Sequence, residues 1–269
     1  MSFEIFLGID QTGAIAKHGM PQPLPTACVY REHDQWVLEG ELSLPSLTKD
    51  SVEALVKEIR PRLSLQSTAI LLDSVLGLPK SVFPKNKSLF DLMQRAHRFS
   101  HDGKRFGTKT AHAFFAQFLE KNPEAILLRE CEKIAEASSV FALHPFQKNI
   151  SCGTFRSWSE LGSSPEKWFS LWPIDNPASR GPWIFEAYPS FLWKKVVKSS
   201  TRDAEVLRAF LLSQKLVKLH SSVSKSLGNA DYCDAMVLAY SGLLLHKRRV
   251  LFKTPKASSL KKEGWILGI

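Results

Sequence analysis

Three apolar runs of strand length in this chain each stop at an acid. Phe3-Glu4-Ile5-Phe6-Leu7-Gly8-Ile9 leads into Asp10, Thr68-Ala69-Ile70-Leu71-Leu72 into Asp73, and Trp183-Ile184-Phe185 into Glu186. Runs this apolar read as strands buried on both faces, the pattern of a largely parallel sheet covered by helices. In such a sheet the C-terminal strand ends share one edge, where α/β proteins bind their ligands. Neighbouring strands would therefore bring the three carboxylates together.

The rest of the chain supplies the covering layers. Residues 26–31 and 35–42 read as two further strands joined through Glu32-His33-Asp34, and Gln11-Thr12-Gly13 as a turn or bend. Thr48-Lys49-Asp50 caps a helix to about Arg60, with Val52, Leu55, Val56 and Ile59 at helical spacing and Pro61 beyond. Residues 78–145 are mostly helical in pattern, 111–119 and 125–137 most clearly, and 140–143 is a candidate strand. Residues 151–181, rich in Ser, Pro and Trp, read as irregular. A helix at 203–219 precedes a last one at 231–246, which is apolar nearly all round and so expected to be buried. Gly264-Trp265-Ile266-Leu267-Gly268 is a candidate edge strand.

Composition narrows the class. Apolar residues make up 44% and charged residues 23%, a globular mixture. No apolar run reaches the roughly 18 residues a spanning helix needs, and the first residues lack the pattern of an export signal. Cys28, Cys131, Cys152 and Cys233 are scattered without a CxxC pair, which argues against zinc or a disulfide framework and for a cytoplasmic setting. Lys and Arg number 36 against 26 Asp and Glu, a net charge of +10, which favours a polyanionic partner.

Asp231 and Asp234, three apart at the start of the last helix, can project from one face. With Asp10, Asp73 and Glu186 they form a set of hard oxygen donors without His or Cys, suited to Mg²⁺ or Mn²⁺. Each acid also has a plain structural role open to it. Asp10 and Asp73 also read as turn formers, and Asp231 and Asp234 as an N-cap with its capping box. Their conjunction is what points to a metal site. Eight Lys or Arg lie between residues 80 and 109, and Lys85, Lys104 and Arg105 are candidates to line a substrate path, the alternative being a solvated surface. Five of the seven Trp lie between 158 and 193, for which core packing is favoured over base stacking.

The order of these pieces has a family likeness. Gly8-Ile9-Asp10, two antiparallel strands, a helix, an Asp-terminated fourth strand and a terminal acidic helix resemble the ribonuclease H-like fold. Asp231-Tyr232-Cys233-Asp234-Ala235-Met236-Val237-Leu238-Ala239 is similar to the D-x-x-D-A-x-x-x-A helix of RuvC-type resolvases. More closely, the chain resembles the predicted nucleases called domain of unknown function 429. The pieces are Gly8-Ile9-Asp10, residues 72–79 (Leu-Asp-Ser-Val-Leu-Gly-Leu-Pro), residues 185–190 (Phe-Glu-Ala-Tyr-Pro-Ser), the Asp234-Ala235 helix and Glu263-Gly264-Trp265-Ile266. The resemblance implies Asp10, Asp73 and Asp234 as catalytic metal ligands, with Asp231 and Glu186 as lesser ones. RuvC-type enzymes usually carry glutamate where this chain has Asp73.

The expectation is one ribonuclease H-like α/β domain over residues 1–269. It has a mixed five-stranded sheet with helices on both faces, a helical insertion at about 80–135 and an irregular segment at 151–181. The expected function is a Mg²⁺- or Mn²⁺-dependent nuclease acting on DNA or RNA by a two-metal mechanism, Asp10 bridging the ions and Asp73 and Asp234 holding one each. Two other classes stay open: a non-catalytic nucleic-acid-binding module, and an actin-like phosphotransferase suggested by Gly8-Ile9-Asp10-Gln11-Thr12-Gly13.

Overall fold

The computed structural model describes residues 3–11, 21–119, 127–141, 148–176, 178–179, 181–253 and 263–268. The strands are β1 (Ile5–Ile9), β2 (Leu24–Glu32), β3 (Gln35–Leu44), β4 (Thr68–Leu72), β5 (Ser170–Trp172), β6 (Trp183–Glu186) and β7 (Lys218–Leu219). They form one sheet in the order β5-β6-β4-β1-β2-β3-β7. Pairing is antiparallel only where β2 meets β1 and β3. The five expected strands are all present, and the short β5 and β7 extend the sheet to seven.

Helices cover both faces: α1 (Lys49–Ile59), α2 (Leu89–Arg98), α3 (Thr108–Ala116), α4 (Glu130–Ala135), α5 (Lys148–Leu161), α6 (Pro189–Leu192), α7 (Ala204–Ser213), α8 (Ser222–Ser226) and α9 (Ala230–Lys247). Alternation along the strands divides two cores. Ile5, Leu7 and Ile9 of β1, Ile70 and Leu72 of β4 and Ile184 of β6 pack with α1, α2, α3 and α5. Phe6, Ala69, Leu71, Trp183 and Phe185 face the other way, against α7 and α9. Among the described residues no helix is long and apolar enough to cross a membrane, and all four cysteines are free and buried.

Local chemistry sets several boundaries. Thr48 caps α1, its hydroxyl accepting from Ser51 N. Asn229, not Asp231, caps α9 and accepts from Asp231 N, which leaves Asp234 in the second turn with no capping duty. The irregular segment expected at 151–181 is corrected at its start: α5 runs through Leu161. Its Ser, Gly and Trp residues are poor helix formers, but Cys152, Phe155, Trp158 and Leu161 bury a stripe in the α2–α3 core, and tertiary packing overrides propensity. The helix expected to reach 219 ends at Ser213, and residues 218–219 pair with β3 instead. Ile266 makes a single bridge to Glu186 in place of an edge strand. Val140 and Phe141 lie in a turn; the rest of the strand considered there, the Thr12-Gly13 turn and residues 120–126 lie outside the described residues. Trp158, Trp172, Trp183 and Trp193 are buried, so core packing accounts for most of the Trp cluster.

Gly8 fixes how close α9 comes to the sheet. A Cβ there would lie 2.0 Å from Ala235 O and 2.5 Å from Ala239 N, both backbone atoms with no rotamer to give way. Gly242, further along α9, meets the side chains of Leu71 and Phe6. Gly8→Ala is therefore expected to destabilise the fold by about 3 kcal/mol, at the upper end for overpacking. Thermal unfolding followed by circular dichroism checks this, and an unchanged midpoint would mean that β1 and α9 are not in backbone contact.

Candidate metal centre

Asp10 and Asp73 sit one residue beyond paired positions on adjacent parallel strands, Ile9 opposite Leu72. Their own amides continue the ladder, Asp10 N donating to Pro25 O and Asp73 N to Ile9 O, each at 3.0 Å. Asp10 follows Phe6 and Gly8 in phase, and Asp73 follows Ala69 and Leu71, so both belong to the face that α9 covers. Gly8 against Ala235 draws α9 close enough to add Asp234 from its second turn and Asp231 from its first. Four carboxylates from three distant segments thus share one sheet edge.

The electrostatics show how close they are. Burial, then the charges of Asp73, Asp234 and Asp231, push the Asp10 carboxyl from 3.8 up to about 9. Burial and Asp234 raise Asp73 to about 7, Arg202 acting against them. The two share a hydrogen bond that raises Asp10 and lowers Asp73, so the proton resides on Asp10 and Asp73 accepts it. Asp234 is also raised by burial, against the pull of Arg202 and Trp193. Trp193 Nε1 donates to Asp234 Oδ1 at 2.6 Å, and Arg202 Nη1 donates to Oδ2. Trp193 opens a π-helical turn, Trp193–Val197, a widened helix that often marks a functional site.

Glu186 is engaged differently. It shares the phase of Ile184, opposite that of Asp73, and its carboxylate forms a two-point ion pair with the buried Arg129. Leu76 N also donates to it at 2.7 Å. Its charge still acts on Asp73, but its oxygens are taken. Arg129 further donates to Glu132 Oε1 at 2.9 Å and to Glu263 O at 2.7 Å. Burial opposes its charge, yet Glu186 and Glu132 more than offset that and hold the guanidinium well above its usual range. This network lines a narrow pocket of about 90 Å³ beside Asp73, with Gln11, Ser74, Thr154 and Tyr188 among its walls. The buried Ser74 hydroxyl has no hydrogen-bond partner among the described residues.

Of the expected substrate-path residues, Lys85 and Lys104 are exposed. Arg105 is turned to the end of α2, donating to His97 O at 3.0 Å. Among the described residues none of the three is ion-paired with the acid cluster. Arg202, Trp193 and Arg129 carry no spacing signal in the sequence. The parity of Gly8 with Asp10, and of Leu71 with Asp73, was the available clue that these two acids part company with Glu186.

Among the described residues no group of three or more His, Cys, Asp or Glu side chains is arranged to hold a metal ion as it stands. The donors nevertheless fit a hard divalent cation in kind. They are all oxygens, and a cation would offset the burial and mutual repulsion that raise Asp10 and Asp73. Entry of an ion requires their shared proton to leave and Arg202 to yield Asp234. Comparisons with family models, curated proteins and solved structures gave no match.

Proposed function

We propose that this chain is a Mg²⁺- or Mn²⁺-dependent nuclease on a ribonuclease H-like fold. The observation that carries the proposal is the convergence of Asp10, Asp73, Asp231 and Asp234 with Asp10 and Asp73 raised to about 9 and about 7. Strongly perturbed carboxyls grouped at a ligand-binding sheet edge are the signature of a functional site. The succession of three antiparallel strands, α1, Asp-terminated β4 and acidic α9 supports the fold assignment.

Bound divalent ions would supply the positive charge that offsets charge building on the phosphodiester oxygens. The chain's own residues prepare that site. Asp10 and Asp73 lose their shared proton and become paired oxygen donors. Trp193 fixes the rotamer of Asp234 through its indole N–H. Lys194, Lys195 and Lys198, exposed on and just after the π-helical turn, present positive charge to the phosphates that flank the cleaved bond.

Purified protein with Mn²⁺ should cleave at least one of a panel of single- and double-stranded DNA and RNA oligonucleotides. Asp73→Asn should lower that rate by about 100-fold or more, because each tenfold corresponds to ~1.4 kcal/mol of lost transition-state stabilisation. Cleavage that survives Asp73→Asn would place the activity elsewhere. The ion pair between Asp234 and Arg202 favours a second reading, a binding module whose acids are permanently neutralised. Salt-sensitive binding without turnover, indifferent to Asp73→Asn, would establish that reading instead.

A further inference from the structure

Two arginines meet the carboxylates of this sheet edge, and they are held in opposite ways. Arg129 is 1% exposed, with Glu132, Glu186 and Glu263 O around it. Arg202 is 45% exposed, although its partner Asp234 is only 4% exposed. Its guanidinium reaches Asp234 from Nη1 and Ser190 Oγ from Nη2, tying α9 to α6. Arg202 itself stands on neither helix. It lies between Lys198, whose φ of 64° ends the π-helical turn, and Asp203, which caps α7.

The asymmetry has a chemical consequence. An arginine half in water loses little when it turns away, because exposed ion pairs contribute little. Asp234 has no such freedom, since a buried carboxylate without a cation is costly. Whenever Arg202 leaves, Asp234 has to take up a proton or another cation in its place. A guanidinium released at the mouth of the site would present a planar fork matched to phosphate oxygens, beside the exposed Lys194, Lys195 and Lys198.

We propose that Arg202 is an exchangeable cation: it neutralises Asp234 until a divalent ion takes that carboxylate, and its freed guanidinium then binds a phosphate of the nucleic-acid substrate. This rests on the nuclease proposal for the same site.

The test titrates Mn²⁺ alone into the full chain and into Arg202→Gln, by calorimetry. A fluorescent oligonucleotide is then titrated into both with Ca²⁺ present. Removing the competitor should tighten Mn²⁺ binding about 10-fold. Removing one phosphate contact should weaken the oligonucleotide about 5- to 10-fold and lower the salt slope by about one. Ser190→Ala, which frees Arg202 from its second anchor without unpairing Asp234, should weaken neither fold nor site and should tighten Mn²⁺ binding about 2- to 3-fold. Unchanged or weaker Mn²⁺ binding in both variants would make Arg202 a fixed structural partner and overturn the exchange. Unchanged oligonucleotide affinity in Arg202→Gln would overturn the phosphate role. Mn²⁺ uptake by the native chain that Asp10→Asn abolishes would keep the metal site standing whatever Arg202 does. No uptake by any of them would bring down both proposals.

Discussion

Replacing Arg129 by methionine is expected to cost about 3–5 kcal/mol of stability at pH 8, the usual penalty for removing one partner of a buried ion pair. Methionine fills much of the volume, so the loss is electrostatic. Glu132 and Glu186, both buried, would be left without the guanidinium that donates to each, and Glu263 O would lose a donor. For a chain of this length the midpoint should fall by roughly 6–20 °C. The deficit should shrink toward pH 5. Stranded in a buried site, the Glu132 carboxyl, which burial already raises, would hold its proton more tightly than in the unfolded chain, so the variant loses stability as pH rises through that range. Arg129→Met combined with Glu186→Gln should recover part of the loss. A deficit equal at pH 5 and pH 8, with no recovery in the double variant, would mean that packing and not charge is what Arg129 provides.

Asp10→Asn is expected to do the opposite in metal-free protein: stabilise it. In the folded chain the Asp10 carboxyl is raised to about 9 from 3.8. The folded state therefore carries a proton that the unfolded state lacks between those values, and native stability falls as pH rises across that window. Asparagine cannot ionise and its amide can donate to Asp73 as the protonated Asp10 does. The gain should be on the order of 2–4 kcal/mol at pH 8, narrowing to about 1 kcal/mol near pH 5. Saturating Mn²⁺ should invert the ranking, because an ion at 1,000 times its Kd adds about 4.1 kcal/mol to the native chain and nothing to a variant that does not bind it. Differential scanning fluorimetry at pH 5, 6.5 and 8, with and without Mn²⁺, reads all of these at once. A native chain that outlasts Asp10→Asn at pH 8 without metal would show that the four acids do not strain one another.

What the sequence revealed was the edge, not its wiring. Apolar runs ending in acids located β1, β4 and β6, because strands buried on both faces leave no polar positions to confuse the pattern. Thr48 and the 49–59 stripe located α1 for the same reason, a cap and a face agreeing. Asp10, Asp73 and Asp234 came together because parallel neighbours and a small-residue helix put them there. The helix α5 was hidden: its residues favour other states one by one, and only the contacts of Phe155, Trp158 and Leu161 with distant partners hold it. Arg129 and Arg202 were hidden too, since nothing local distinguishes an arginine that meets a carboxylate some 57 or 32 residues further along the chain. Glu186 shows the limit of strand-end counting, because one residue of phase turns a side chain to the other face.

The backbone contact between Gly8 and Ala235 also sets a schedule. At roughly 5–20 residues per second, the ribosome reaches Asp234 on the order of 10–45 s after Asp10. Throughout that interval the sheet face that α9 will cover, with Phe6, Ala27, Val29, Leu38, Ala69 and Leu71, has no lid. A nascent chain of this protein is thus a sticky half-sheet with two of its acids in place and no third. The acid cluster is complete only once α9 has been made and has closed over that face.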